Sequence, residues 1–111
     1  MNWIALTDDA GLEDIKQRSL EKPQVIFKHS TRCSISSIAK NRLERASAPE
    51  TLDFHILDLI RHRDISGKIA DDFRVEHESP QILLIKNGEC MYDESHTGIS
   101  MEEIVKQVAG N

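Results

Sequence analysis

The chain has 111 residues, which is enough for one packed core and too few for two, so a single domain spanning 1–111 is expected. Its 14 Lys and Arg against 19 Asp and Glu leave a net charge of −5 with the two signs interspersed, which argues against a phosphate-tracking surface and so against nucleic acid as a partner. No apolar run approaches the roughly 20 residues that cross a bilayer, and MNWIALTDDAGLED has no basic segment leading into a long apolar one; no membrane partner and a cytoplasmic location are expected.

In chain order, the short apolar segment Trp3 to Leu6 precedes Leu12, Ile15 and Leu20, whose spacing suits one face of a helix. Pro23 to His29 is rich in β-formers and continuously apolar from Val25 to Phe27, the pattern of a strand covered on both faces. Ile35, Ile38, Ala39, Leu43 and Ala46 then recur at helical spacing, until Pro49 prevents the helix from continuing. Leu52, Phe54 and Ile56 alternate with Asp53 and His55 as a strand, with the two polar residues on its polar face, and Ile65, Ile69 and Phe73 mark a further helical stripe. After Pro80 come two β-prone runs divided by Asn87-Gly88, a strong hairpin signal. Ser100 and Glu103 fit a capping box for a last helix whose buried stripe would be Met101, Ile104, Val105 and Val108. The order βαβαβαββα implies an α/β fold: a central mixed β-sheet flanked by helices on both faces. Asp8, Asp9, Asp71, Asp72, His62 and His96 are read as ordinary helix or loop polar groups.

In such a sheet the loop after an inner strand opens at the strand's carboxyl end, where ligands gather. FKHSTRCSIS puts Cys33 at that junction, just before a helix. A cysteine there faces free backbone N–H groups and the positive end of the macrodipole, and both stabilise the thiolate, which is the nucleophilic form. Arg32 and His29 would add positive potential if turned toward the sulfur, and Thr31 and Ser36 offer hydroxyl donors. Ser36, one helical turn on, can hydrogen-bond the thiolate and cannot resolve a disulfide, so release requires an external thiol. The alternative for any lone cysteine is a small buried hydrophobe. That reading suits Cys90, beside Met91 in the hairpin, better than it suits Cys33 between Arg32 and Ser34. The two cysteines have no metal-ligand spacing, and no metal is expected.

SPQILLIKNGE, Ser79 to Glu89, resembles the segment in which thioredoxins carry a cis-proline, a strand and a Lys-Asn-Gly-Glu turn. With FKHSTRCSIS and VEHESPQ the chain is most similar to the monothiol bacilliredoxins of that superfamily, which usually read T-C-P-I-S where this chain has Ser34. The resemblance implies a thioredoxin-like fold and a cis peptide at Ser79–Pro80, with the Ser79 backbone pairing a bound thiol or peptide and His77 beside it as a substrate contact. It also implies reduction of mixed disulfides between client proteins and bacillithiol, a cysteine-containing sugar thiol that acts as co-substrate, with no other cofactor. Cys33 and Ser36 are then the catalytic pair; Thr31, Arg32, His77, Ser79 and Pro80 bind substrate. Two other functions remain open: an iron–sulfur carrier like certain monothiol glutaredoxins, whose C-G-F-S is absent here, and a thioredoxin-like binding module without catalysis.

Overall fold

The computed structural model describes residues 1–110 and is organised about one strand that is buried at every position. The elements are β1 (Trp3–Ala5), α1 (Asp9–Arg18), β2 (Gln24–His29), α2 (Ser34–Arg45), β3 (Asp53–Asp58), α3 (Arg63–Phe73), β4 (Gln81–Lys86), β5 (Glu89–Ser95), a 3₁₀ turn (His96–Gly98) and α4 (Met101–Ala109). Apart from the 3₁₀ turn, this is the order expected from the sequence. The five strands lie in the order β1-β3-β2-β4-β5, with β1, β3 and β2 parallel and β4 and β5 each antiparallel to the preceding neighbour.

Successive side chains of β2 enter two separate cores. Val25 and Phe27 pack with Ala39 and Leu43 of α2, Met101 and Ile104 of α4, and Trp3. Ile26 faces the other way, toward Leu12 and Ile15 of α1 and Ile65, Ile69 and Phe73 of α3. The two-residue period of the strand therefore dictates a three-layer arrangement, because a strand with apolar groups on both faces needs a cover on each. Trp3 stacks on Phe27 and meets Phe54 edge-on, tying the short edge strand to the centre. At the hairpin Asn87 (φ 54°) and Gly88 (φ 78°) are both left-handed, the requirement of a two-residue type I′ turn. The Ser19 hydroxyl accepts from the Gly88 amide and anchors the turn to the end of α1.

Several expected stripes are narrower than the sequence suggests. α2 buries Ser36, Ala39 and Leu43, so Ile35 and Ile38 sit to one side of that face and are exposed. Leu20 lies beyond the end of α1 and is exposed, as is Val105 on α4. The capping box at α4 is half formed: Ser100 accepts from the Glu103 amide, while the Glu103 carboxylate accepts from Gln107 instead of reaching back. Asp8 caps α1 through the Gly11 amide, and Asp72 pairs with Lys16 and Lys68, so neither is an idle surface charge.

His55 departs furthest from expectation, since it is 3% exposed and not on a polar face. Its Nε2 donates to Gln24 Oε1 at 2.7 Å, and Gln24 Nε2 in turn donates to Asp53 Oδ2 at 2.9 Å. Two polar side chains on adjacent strands thus satisfy one another inside the second layer. Burial pushes the His55 pKa down to about 4. The folded state therefore refuses a proton that the unfolded chain binds below about 6.5. Stability is full above that value and declines as pH falls toward 4, below which both states are protonated. His55→Gln keeps a donor and does not titrate; urea midpoints measured from pH 7 down to about pH 4 should fall more steeply for the wild type than for this variant.

Candidate active site

The carboxyl ends of β2 and β3 point the same way, and the segments that leave them meet the β4 approach at one end of the sheet. β2 passes through Ser30–Arg32 into α2, with the Cys33 amide donating to Ser30 O at 3.2 Å across the turn. The Leu59 amide donates to His29 O at 2.8 Å, which fixes the start of the β3–α3 connection against the same turn. Between these segments and residues 77–79 lies a cleft of about 480 Å³ lined by Ser30, Cys33, Leu59, Ile60, Arg63, Ser66, Gly67, His77 and Ser79.

Cys33 is the N-cap of α2, with extended backbone (φ −108°, ψ 119°), and its side chain makes no capping hydrogen bond. Its carbonyl accepts from the Ser37 amide, so Ser34 occupies the first helical position, where proline is equally at home. The sulfur is half-buried at the cleft wall beside first-turn amides that have no intrahelical acceptor.

Ser36 is placed differently from expectation. It is fully buried, its Oγ accepts from the Ser30 amide at 3.0 Å and lies 2.6 Å from His29 Nδ1. The hydroxyl thus joins the Ser30 amide to the His29 ring, and it is the turn, not the Cys33 sulfur, that it holds. His29 is likewise no source of positive potential. It is buried, stacked on Phe27, and desolvation, reinforced by Lys40, holds its pKa down, so the ring is neutral.

Of the other expected contacts, His77 and Ser79 line the cleft with Cys33, whereas Pro80 is buried behind it and Thr31 and Arg32 stand exposed in the turn outside its lining. The Ser79–Pro80 peptide is cis, and Ser79 Oγ is buried with no hydrogen-bond partner among the described residues. His96 approaches the same rim, 3.6 Å from Glu78 Oε2. The wall formed by Leu59, Ile60, Arg63, Ser66 and Gly67 was missed from sequence. One signal was available: the apolar pair Leu59-Ile60 continues beyond Asp58, where a surface loop needs none.

Cys90 belongs to another neighbourhood. It pairs with Ile85 near the hairpin, and Ile85 pairs with Gln24 at the start of β2, while Cys33 lies beyond the end of β2. At about 3.3 Å per residue along β2, the two sulfurs are well over 10 Å apart, far outside the ~7 Å Cα limit of a disulfide. The Cys90 thiol donates to Tyr92 O at 3.4 Å, and burial pushes its pKa up to about 11.

Removing the Ser36 hydroxyl leaves a buried imidazole nitrogen and a backbone amide without their partner. Ser36→Ala should therefore lower stability by about 2 kcal/mol. It should also slow exchange at Cys33 without abolishing it, as read by urea unfolding and by disulfide-exchange rates; an unchanged urea midpoint would contradict the role given to this hydroxyl.

Among solved structures, a provisionally assigned oxidoreductase with a thioredoxin fold is 28% identical, with a TM-score of 0.80 over 95% of this chain and 92% of that one. Thioredoxin from Fasciola hepatica matches at 19% identity and a TM-score of 0.74 over 93% of this chain and 97% of that one. Thioredoxin from Trypanosoma brucei brucei matches at 14% and 0.76, over 99% and 93%. The architecture is a thioredoxin fold. The family described as monothiol bacilliredoxin BrxC matches residues 4–104, a stretch that contains β2, the turn, Cys33 and every residue of the cleft. On that match the chain belongs to the monothiol bacilliredoxin family.

Proposed function

We propose that, within the thiol redox role its family gives it, the protein reduces mixed disulfides between protein cysteines and bacillithiol, acting through Cys33 alone. The observation that carries this reading is the isolation of Cys33. It stands at the start of α2 on the wall of a cleft sized for a small molecule, and the second cysteine is at the far end of the sheet.

The chemistry follows from that isolation. The Cys33 thiolate attacks the bacillithiol sulfur of a client's mixed disulfide. The S–S bond breaks, the client cysteine leaves, and a Cys33–bacillithiol disulfide forms. With no neighbouring thiol to displace it, the adduct persists until an external thiol attacks it and restores Cys33. Small-thiol specificity is a matter of shape: a cleft that seats the small thiol presents its sulfur, and not the client's, to Cys33. In this reading the polar groups of the cleft lining, His77 and Ser79 among them, orient it. The cycle suits a reducing compartment, in keeping with a cytoplasmic location.

Reduced protein mixed with a bacillithiolated client, followed by intact mass, should acquire one bacillithiol on Cys33 as the client loses its own. The adduct should be unchanged in Cys90→Ala and discharged by added thiol. An internal Cys33–Cys90 disulfide formed as fast as the client is released would refute the monothiol cycle. In a separate measurement, iodoacetamide at neutral pH should label Cys33 and leave Cys90 of the folded protein unmodified, because a thiol with its pKa pushed up to about 11 holds almost no thiolate there. Equal labelling of both cysteines would contradict the environments described.

A further inference from the structure

Lys28 lies in the interior of β2 and is fully buried, yet no carboxylate pairs with it among the described residues. Its Nζ donates to Ser66 O at 3.3 Å and to His77 Nδ1 at 3.3 Å, and the Ser66 hydroxyl lies 3.3 Å from the same ring nitrogen. With Nδ1 accepting, the neutral His77 ring carries its proton on Nε2, on the opposite side of the ring. His77 also lines the cleft that Cys33 lines. A buried amino group is therefore connected, through one imidazole, to the place where sulfur is exchanged.

We propose that Lys28 and His77 form a proton relay serving the sulfur that leaves during exchange at Cys33. The inference rests on the thiol–disulfide exchange assigned above. As the Cys33 thiolate forms its bond to one sulfur of the substrate disulfide and the S–S bond breaks, the departing sulfur takes the electron pair and receives the Nε2 proton. Nδ1 receives a proton from the Lys28 ammonium, which becomes a neutral amine. In the second half-cycle an incoming thiol gives its proton back along the same path and attacks the Cys33 adduct as a thiolate, regenerating both the ammonium and the Cys33 thiolate. One proton is thus lent to the departing thiol and returned by the incoming one, and no oxidant or reductant beyond the two substrates is needed.

The energetics of the pair agree with this geometry. Burial lowers the Lys28 pKa to about 8, close to the ~8.5 of a free thiol, so the proton moves between near-equals. Desolvation and the Lys28 charge both lower the His77 pKa, which keeps the ring neutral and able to pass a proton rather than hold it. The other titratable or charged groups of the cleft lining are Cys33 from the turn and Arg63 of α3, and Glu78 acts on His77 from beside it. Asp58, at the end of β3, is engaged by the Ile60 and Arg61 amides.

The test is single-turnover exchange of the full chain with bis(2-hydroxyethyl) disulfide, a probe without titrating groups, from about pH 6 to about pH 10. The wild-type rate should rise with the Cys33 thiolate fraction and then fall as Lys28 loses its proton. Simple thiolate attack has no such falling limb. Lys28→Met should abolish the falling limb and lower the maximum roughly a hundred-fold, the modest end of general acid catalysis, and His77→Gln should do the same. Iodoacetamide alkylation of Cys33, in which iodide departs without needing a proton, reports that the site of each variant is intact. A wild-type profile that only rises and levels off, or an unchanged profile in Lys28→Met, overturns the relay. Long-range ¹H–¹⁵N correlation of His77 in the reduced wild type needs no variant. The Nε2–H tautomer is expected at neutral pH, and the Nδ1–H form or an imidazolium overturns the proposal. If the probe gives the falling limb while bacillithiol disulfide leaves no adduct on Cys33, the relay stands and the assignment of bacillithiol fails.

Discussion

Burial of β2 on both faces is the constraint from which the rest of the molecule follows. A strand that must be covered twice requires helices above and below it, and the alternation of its side chains sorts the remaining apolar residues into two cores that barely communicate. The same burial fixes the site. The last residues of the strand have no route to solvent except at its carboxyl end, so the turn that follows is held against β3 by the His29 carbonyl and against α2 by the Ser36 hydroxyl. A reactive cysteine needs such rigidity, because its sulfur is useful only if the helix start beneath it stays where it is.

The price of that constraint appears in the polar residues the strand carries. Gln24, Lys28 and His29 are all buried, and each is satisfied by a different device: a side-chain chain through His55 and Asp53, a carbonyl and an imidazole from neighbouring segments, and a serine from the following helix. The Asp53 carboxylate that ends the first is itself paired with Lys22. Lys28 brings a charge into the interior with no carboxylate beside it among the described residues, while at the surface Asp72 of α3 pairs with Lys16 of α1.

The fold was legible in the sequence because periodicity reports directly on burial: the two-residue and helical repeats, the Asn87-Gly88 turn and Pro49 gave the elements and their order. The position of Cys33 was legible for the same reason, being a matter of where a strand stops and a helix begins. The partners of polar side chains were not. Ser36 one turn after Cys33 looked like a donor to sulfur, yet the chain reverses at Ser30 and brings an amide and His29 closer to that hydroxyl. Lys28 and His55 carry no sign of burial in their own identities. They are inside because the strand is inside, and the groups that satisfy them come from Ser66, His77 and Gln24, at separations that no local pattern encodes. Apart from the Leu59-Ile60 pair, the α3 side of the cleft carried no local signal for a similar reason, since it is assembled by the parallel pairing of β2 with β3.

The separation of the two cysteines also determines what kind of information this molecule can register. A dithiol that closes on itself consumes one disulfide of a small thiol and releases two thiol molecules, so its oxidation state depends on the square of the free-thiol concentration as well as on the disulfide. The proposed cycle, confined to one-for-one exchange at Cys33, trades a single thiol for a single disulfide, and the total concentration cancels. Its occupancy at equilibrium therefore follows the ratio of oxidised to reduced thiol in the surrounding pool and is indifferent to dilution of the pool as a whole.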